Sequence, residues 1–411
     1  MFMSILLLPA KLYVAMVLIF ITTAADIYLA MNELLPIAPV VACLVLIFPF
    51  LGYVCVKEST GGFSMAKVIT LYHHNIPVIL PFFILVIFSL IFSFLPASNW
   101  EDSGKFVFLP LYDFVFFIFG MALPLIAFFR NSWRSYLHIA LLALLASIGI
   151  DLIYPGFFSN VILRSAGFAE NPNAAAFFVI ILCSSIMRYN KVSLEDMSII
   201  ILSGIGTLAT LSRSGVLLFC LFLMVYLFHL FIKSDLKNRF ILILLSLASA
   251  FTIAVVFSVI VQKSYILEVH CARDRLRSLT GDAAFYESDE GRIVLLEKYV
   301  ALVSNAPLLG YGTGFSLDMG PHNMYLKQWL ENGVFGFLSY IALLAGGLWI
   351  FYKRKFREGQ MFMFIVIGQG VFSHNILDQR PFLLVFGILS GISLFEYNHM
   401  KALEGKVRLT D

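Results

Sequence analysis

The residues best suited to chemistry in this 411-residue chain are a histidine, several arginines and a few carboxylates, many in a polar stretch from about Gln262 to Asn332. His322 opens the segment HNMYLKQWLENGVFG, in which Tyr325 or Leu326 and Trp329 fall on its helical face. A histidine in the first turn of a helix feels the positive dipole end, which disfavours the imidazolium and keeps the ring neutral near pH 7. A neutral imidazole can take a proton from a hydroxyl as a general base; a hydrogen-bonded structural histidine is the plainer alternative. Metal ligation is not indicated, because no second His or Cys stands at ligand spacing, and His270 and His374 are distant in sequence.

The arginines point to an anion. Arg164 in LRSAGFAENPNAAAF, Arg213 in TLSRSGVLL and Arg380 in HNILDQRPF each sit at a predicted helix boundary, and the polar stretch adds Arg273, Arg275, Arg277 and Arg292. A guanidinium matches phosphate oxygens bidentately and stays charged at any working pH, although a single arginine snorkelling to lipid headgroups needs no ligand. Arg213 is a sharper case. It lies between the apolar runs Ile199 to Leu211 and Val216 to Phe231, where an unpaired guanidinium costs about 2.5–3.5 kcal/mol at membrane depth. An anionic partner is implied.

Arg292 precedes Ile293, Leu296, Val300 and Val303, whose spacing predicts an amphipathic helix. A helix N-terminus also favours an anion, while a packing helix with a solvated arginine explains the pattern equally. Between the last two predicted spans, Asp378 is costly unless paired, so it orients the histidine or an arginine, or simply pairs with Arg380. Asp113 and Asp151 are weaker candidates, since hydrogen bonds between helices account for both. Gly310, Gly312 and Gly314 lack the Lys-Ser/Thr ending of a nucleotide loop and predict a tight turn that brings the following segment close to a ligand.

These residues must be held by membrane helices. The chain is 60% hydrophobic and 13% charged, against roughly 45–50% and about 25% in soluble domains, and stretches such as Ile76 to Ala97 approach the ~20 residues that span a bilayer. Unpaired backbone cannot face lipid, so an all-α membrane protein is expected. About twelve transmembrane helices are predicted, centred near residues 21, 45, 86, 117, 145, 180, 202, 223, 250, 342, 368 and 389.

Basic residues follow every second span: Lys57 and Lys67; Arg130 and Arg134; Arg188 and Lys191; Lys233, Lys237 and Arg239; then Lys353, Arg354, Lys355 and Arg357. With Lys401, Lys406 and Arg408 in the tail, the positive-inside rule puts these loops and both termini in the cytoplasm and the polar stretch outside. The first apolar stretch reads as a signal anchor. Four of five cysteines, Cys43, Cys55, Cys183 and Cys220, fall in or at the ends of predicted spans and Cys271 in the external loop, so no disulfide framework is implied. Residues 1–411 are expected to form a single integral membrane domain, with 262–332 as a periplasmic loop subdomain containing amphipathic helices.

Taken together, RSAGFAENPNAAAF (Arg164 to Phe177), TLSRSGVLL (Thr210 to Leu218), EGR (Glu290 to Arg292), NAPLLGYGTGF (Asn305 to Phe315), HNMYLKQWLENGVFG (His322 to Gly336) and LDQRPF (Leu377 to Phe382) resemble the bacterial O-antigen ligase and polymerase family of membrane glycosyltransferases. The resemblance covers roughly the second half of the chain and is closest to the ligases. It implies about twelve helices with a long external loop, in the bacterial inner membrane. It also implies transfer of a glycan from undecaprenyl pyrophosphate to a sugar hydroxyl, which in the ligases belongs to the lipid A core. By the same resemblance Arg213 and Arg292 bind the pyrophosphate, His322 is the catalytic base and Asp378 a supporting acid. Arg164, Arg277 and Arg380 are further phosphate-site candidates.

Pyrophosphate is a good leaving group whose charge arginines can neutralise, so no cofactor or metal is expected, and direct displacement predicts inversion at the anomeric carbon. Membrane lipids are expected partners and nucleic acid is not. A repeat-unit or exopolysaccharide polymerase shares the donor chemistry and stays open. A secondary transporter of about twelve spans is a further alternative, but paired repeats and helices interrupted at the midplane are not visible.

Overall fold

Long apolar runs broken by short polar segments form helices, and in the computed structural model every described regular element is helical. The structure describes residues 2–34, 38, 41–47, 49, 65–93, 109–161, 164–189, 193–233, 297–305, 308–316 and 321–407. In chain order the helices are α1 (Phe2–Thr22), α2 (Ala25–Met31), α3 (Met65–His74), α4 (Ile76–Phe92), α5 (Leu109–Ala122), α6 (Ala127–Ile153), α7 (Pro172–Ile186), α8 (Leu194–Ala209), α9 (Arg213–Lys233), α10 (Met324–Lys353), α11 (Arg357–Phe372) and α12 (Arg380–Val407). Residues 41–47 and 297–305 are also helical. No strand occurs among the described residues.

Four described helices, α6, α9, α10 and α12, are long and apolar enough to cross a membrane, and the bent pair α3 and α4 adds a fifth if it counts as one span. The expected centres near 86, 117, 145, 180, 202, 223, 342, 368 and 389 all fall inside described helices. The one near 250 lies outside the described residues. The chain divides into two compact units. One comprises Met1–Thr22, Leu35–Tyr136 and Glu297–Asp411; the other comprises Thr23–Leu34 and Leu137–Leu296.

In the first unit α5 packs on α12 and α10 on α4. The α5–α12 contact is backbone to backbone: a Cβ on Gly120 would sit 2.4 Å from the Leu384 carbonyl oxygen, and one on Gly387 would sit 2.2 Å from that of Phe117. Such close approach between membrane helices depends on small residues. Phe362, Phe382 and Phe386 stack beside it, with centroids 5.7 and 5.8 Å apart.

The chain bends by 77° between α3 and α4, at Asn75. Arg354, just past the end of α10, closes that bend. Its Nη1 donates to Asn75 Oδ1 (3.0 Å), the Ser390 carbonyl (3.0 Å) and Ser393 Oγ (2.8 Å), and its Nη2 donates to the His74 carbonyl (2.7 Å). The sequence placed Arg354 among basic loop residues; the structure buries it, where it satisfies a carbonyl left over at the end of α3.

In the second unit α7 is buried on nearly every face and packs against α8 and α9. The connection from α6 to α7 is tied down by Asp151. Its carboxylate accepts backbone N–H bonds from Phe158 (3.1 Å), Ser159 (3.4 Å) and Ala166 (2.7 Å). Backbone donors, and not a neighbouring helix, are thus its partners.

Candidate active site

The first unit builds its polar centre around a break in α10. Asn323 caps this helix, its side chain accepting the Leu326 N–H at 3.0 Å. The helix then breaks at Gly333, whose φ of 58° and ψ of −159° suit glycine almost alone. Carbonyls freed by the break are taken by the glycine-rich turn ahead of it: Tyr311 N–H donates to the Leu330 carbonyl (2.7 Å) and Gly312 N–H to that of Glu331 (3.1 Å). The turn therefore caps a broken helix. Contact is again backbone to backbone, since a Cβ on Gly333 would meet the Leu308 carbonyl oxygen at 2.1 Å. Thr313 ties the same turn to the end of α4, its Oγ1 donating to the Ser89 carbonyl at 2.6 Å.

Ahead of the break, α10 turns Lys327, Gln328 and Glu331 toward a cleft, which Asp113 of α5 and Asp378 also line. Lys327 Nζ donates to Asp378 Oδ2 at 2.7 Å. Glu331 Oε1 accepts from Ser316 Oγ and, at 3.4 Å, from its N–H. Gln328 Oε1 accepts from Asn332 Nδ2 at 3.1 Å. Of the partners expected for Asp378, an arginine or the histidine, the structure supplies neither as its ion pair. Lys327 takes that place.

His322 is exposed and stands one residue before the Asn323 cap, with φ of 46°. It therefore lies outside the first turn of α10, contrary to the expected position, because the asparagine side chain is the better cap. His374, in the turn between α11 and α12, meets it edge-on at 5.4 Å between ring centroids. Burial first, then the nearby Lys327 and His322 charges, push the His374 pKa down to about 4, with Asp378 opposing. His374 is thus neutral at pH 7, and it lies within electrostatic range of both His322 and Asp378. Arg380 is buried as the first residue of α12.

In the second unit, Arg213 is the first residue of α9 and half-buried. Ser212 Oγ accepts the Gly215 N–H at 3.2 Å and so caps this helix. Arg164 is buried; its Nε donates to the Thr210 carbonyl (3.0 Å) and its Nη2 to Asn173 Oδ1 (2.9 Å), while Ser165 N–H reaches the Ala209 carbonyl (3.3 Å). The RSAG segment is thereby sewn to the end of α8, immediately ahead of Arg213. Asn171 caps α7 by accepting from Asn173 N–H (2.9 Å) and Ala174 N–H (3.4 Å).

Arg277 and Arg292 lie outside the described residues. The helix expected after Arg292 is present over 297–305, but its inward face is turned. Tyr299 is buried and Val300 is 51% exposed. Of the expected site residues, His322, Asp378 and Arg380 belong to the first unit, and Arg164 and Arg213 to the second.

Sequence reasoning passed over Lys327 and Glu331, and weighed His374 only as a metal ligand. Two charges four residues apart share a helix face, and both fall in a helix otherwise apolar enough to cross a membrane. Charge at that depth is costly without a partner, so that spacing was the available signal.

No curated protein matches the chain. Residues 198–341 match the family model described as O-Antigen ligase. That segment holds Arg213, Arg292 and His322 and the start of the broken α10, whereas Arg164, Asp378 and Arg380 lie beyond it. The resemblance read from the motifs is thus supported over residues 198–341, the part of the chain that is similar to this family model.

Proposed function

We propose that the chain is a membrane glycosyltransferase that ligates an undecaprenyl-pyrophosphate-linked glycan to a sugar hydroxyl of the lipid A core. The observation that carries this reading is an exposed histidine, His322, within the matched segment and beside the turn that bears His374 and Asp378. An exposed imidazole is open to a substrate hydroxyl. In the proposed step an imidazole nitrogen of His322 takes the acceptor proton while the oxygen attacks the anomeric carbon. The bond from that carbon to the pyrophosphate oxygen breaks, and its electron pair leaves with the phosphate, so configuration inverts.

Arg213 and Arg292 neutralise the departing pyrophosphate, which guanidinium forks do without change of protonation. Arg277 and Arg380 are assigned supporting contacts to it, and Arg164 acts on the same site by fixing the chain ahead of Arg213. Asp378, held by Lys327, supports the histidines. The assigned setting is the bacterial inner membrane, with about twelve helices, both termini cytoplasmic and 262–332 as a periplasmic loop of one membrane domain. The alternating basic loops support that orientation.

Purified protein given lipid-linked glycan and core lipopolysaccharide, with a chelator present, should yield ligated product. His322→Ala should abolish it while the protein remains monodisperse. Unimpaired transfer by His322→Ala would remove the general base from the proposal. Product consisting of glycan joined to glycan, with the core untouched, would reassign the enzyme as a polymerase.

A further inference from the structure

The cleft in the first unit carries more polarity than the transfer step uses. Asp113, Gln328 and Glu331 are each at most 5% exposed, yet all three line it. Glu331 and Gln328 are held in place by Ser316 and Asn332. Asp113 differs: among the described residues none donates a hydrogen bond to it, although Asp378, Arg380 and Lys327 lie within electrostatic range. A buried carboxylate with no donor is costly. Its position on the cleft makes it an acceptor awaiting hydroxyl or amide hydrogens from a ligand.

The lining selects the ligand. Three acidic side chains, Asp113, Glu331 and Asp378, stand with Lys327 and Gln328 on this lining, which offers a hydroxyl-rich ligand both acceptors and donors. A bare acyl chain would leave the same groups without donors. Among the described residues no three acidic or histidine groups converge at metal-ligand spacing. A sugar ring suits all of these features. Its hydroxyls donate to carboxylates and accept from Lys327 and Gln328, and its C–H face lies against Phe82 and Leu85 on the apolar wall.

We propose that this cleft is a sugar subsite that takes an uncharged pyranose of a glycan substrate, with Asp113, Gln328 and Glu331 reading its hydroxyls. The inference rests on the glycan-transfer reading above and adds to it the place where a sugar is recognised. That sugar comes from the acceptor or from the donor, and kinetics tells the two apart.

The test uses full-length protein in detergent with Asp113→Asn and Glu331→Gln, which keep volume and replace each carboxyl group by an amide. Asp113→Asn breaks no hydrogen bond between described residues, so the fold should survive it. The KM for core lipopolysaccharide should rise about tenfold or more in each variant, with kcat within about threefold, if the cleft holds the acceptor; the KM for lipid-linked glycan should rise instead if it holds the donor. Saturation-transfer NMR with the lipid-free oligosaccharides released from each substrate gives a readout independent of turnover. Signals seen with wild-type protein should fall in both variants and in Leu109→Trp, which places an indole at the cleft wall. Active, folded variants with both KM values and all NMR signals unchanged would overturn the subsite. Absent transfer with variant-sensitive NMR signals would instead retain the subsite and remove the transferase reading.

Discussion

Lys327 Nζ lies 2.7 Å from Asp378 Oδ2, joining the first part of α10 to the turn ahead of α12 across 51 residues of chain. The lysine side chain is 7% exposed and the carboxylate 29%, so the pair is shielded on one side and wetted on the other. It holds Asp378 beside the turn that presents His374 to His322.

Lys327→Met should therefore destabilise the protein by roughly 2–3 kcal/mol, at or below the low end for breaking a buried pair because Asp378 keeps some solvent. Adding Asp378→Asn should recover part of that loss, since no unpaired charge remains. Thermal unfolding in detergent of the single and double variants checks both statements. An additive double variant would mean that the pair contributes no coupling.

The His374 ring is held neutral by burial and nearby positive charge, with a pKa of about 4 against an ordinary value near 6.5. Between these values the unfolded chain binds a proton that the native ring does not, so stability declines as pH falls from about 6.5 toward 4 and is fully present above that window. His374→Asn should flatten this part of the profile. Thermal midpoints measured from pH 4 to pH 8 for both proteins provide the check. An unchanged slope would show that another group carries the dependence.

Gly333 adopts a backbone conformation that a side chain strains by about 1–3 kcal/mol, and an added Cβ would stand 2.1 Å from the Leu308 carbonyl oxygen. Gly333→Ala should cost at least that much and displace the glycine-rich turn from the end of the first α10 segment. Reduced thermal stability together with faster exchange of the Tyr311 and Gly312 amides, which donate across the break, is the expected observation.

Arg164 and Arg213 should separate by the kind of damage they cause. Arg164→Lys loses the geometry that bonds Thr210 and Asn173 together, which should lower stability by about 1–2 kcal/mol and reduce transfer with it. Arg213→Ala should abolish transfer with little change in melting temperature. Donor binding by Arg213→Ala with wild-type affinity would withdraw its pyrophosphate role.

The helical class, the position of most helices and the similarity to the O-antigen ligase model were legible in the sequence because each depends on local pattern. Apolar runs set α4 through α12, and short motifs around Arg213 and His322 carry their own spacing. Caps were less legible: Asn323, not His322, closes the start of α10, and a shift of one residue removes the histidine from the first turn. The inward face of helix 297–305 was misread for a related reason, since Tyr299 and Val300 are both large and only their surroundings decide which is buried.

What the sequence determined by itself was an all-helical, membrane-suited chain with a segment similar to the O-antigen ligase model. Tertiary structure alone decided that Asp113 and Glu331 line one cleft, that Asp378 pairs with Lys327, that Arg164 spends hydrogen bonds on Thr210 and Asn173, and that Arg354 closes the bend at Asn75. The physical reason is common to the last three. Hydrophobic periodicity reports which face of a helix avoids water, whereas the partner of a buried charge is chosen by whichever distant backbone or side chain the fold carries within 3 Å of it.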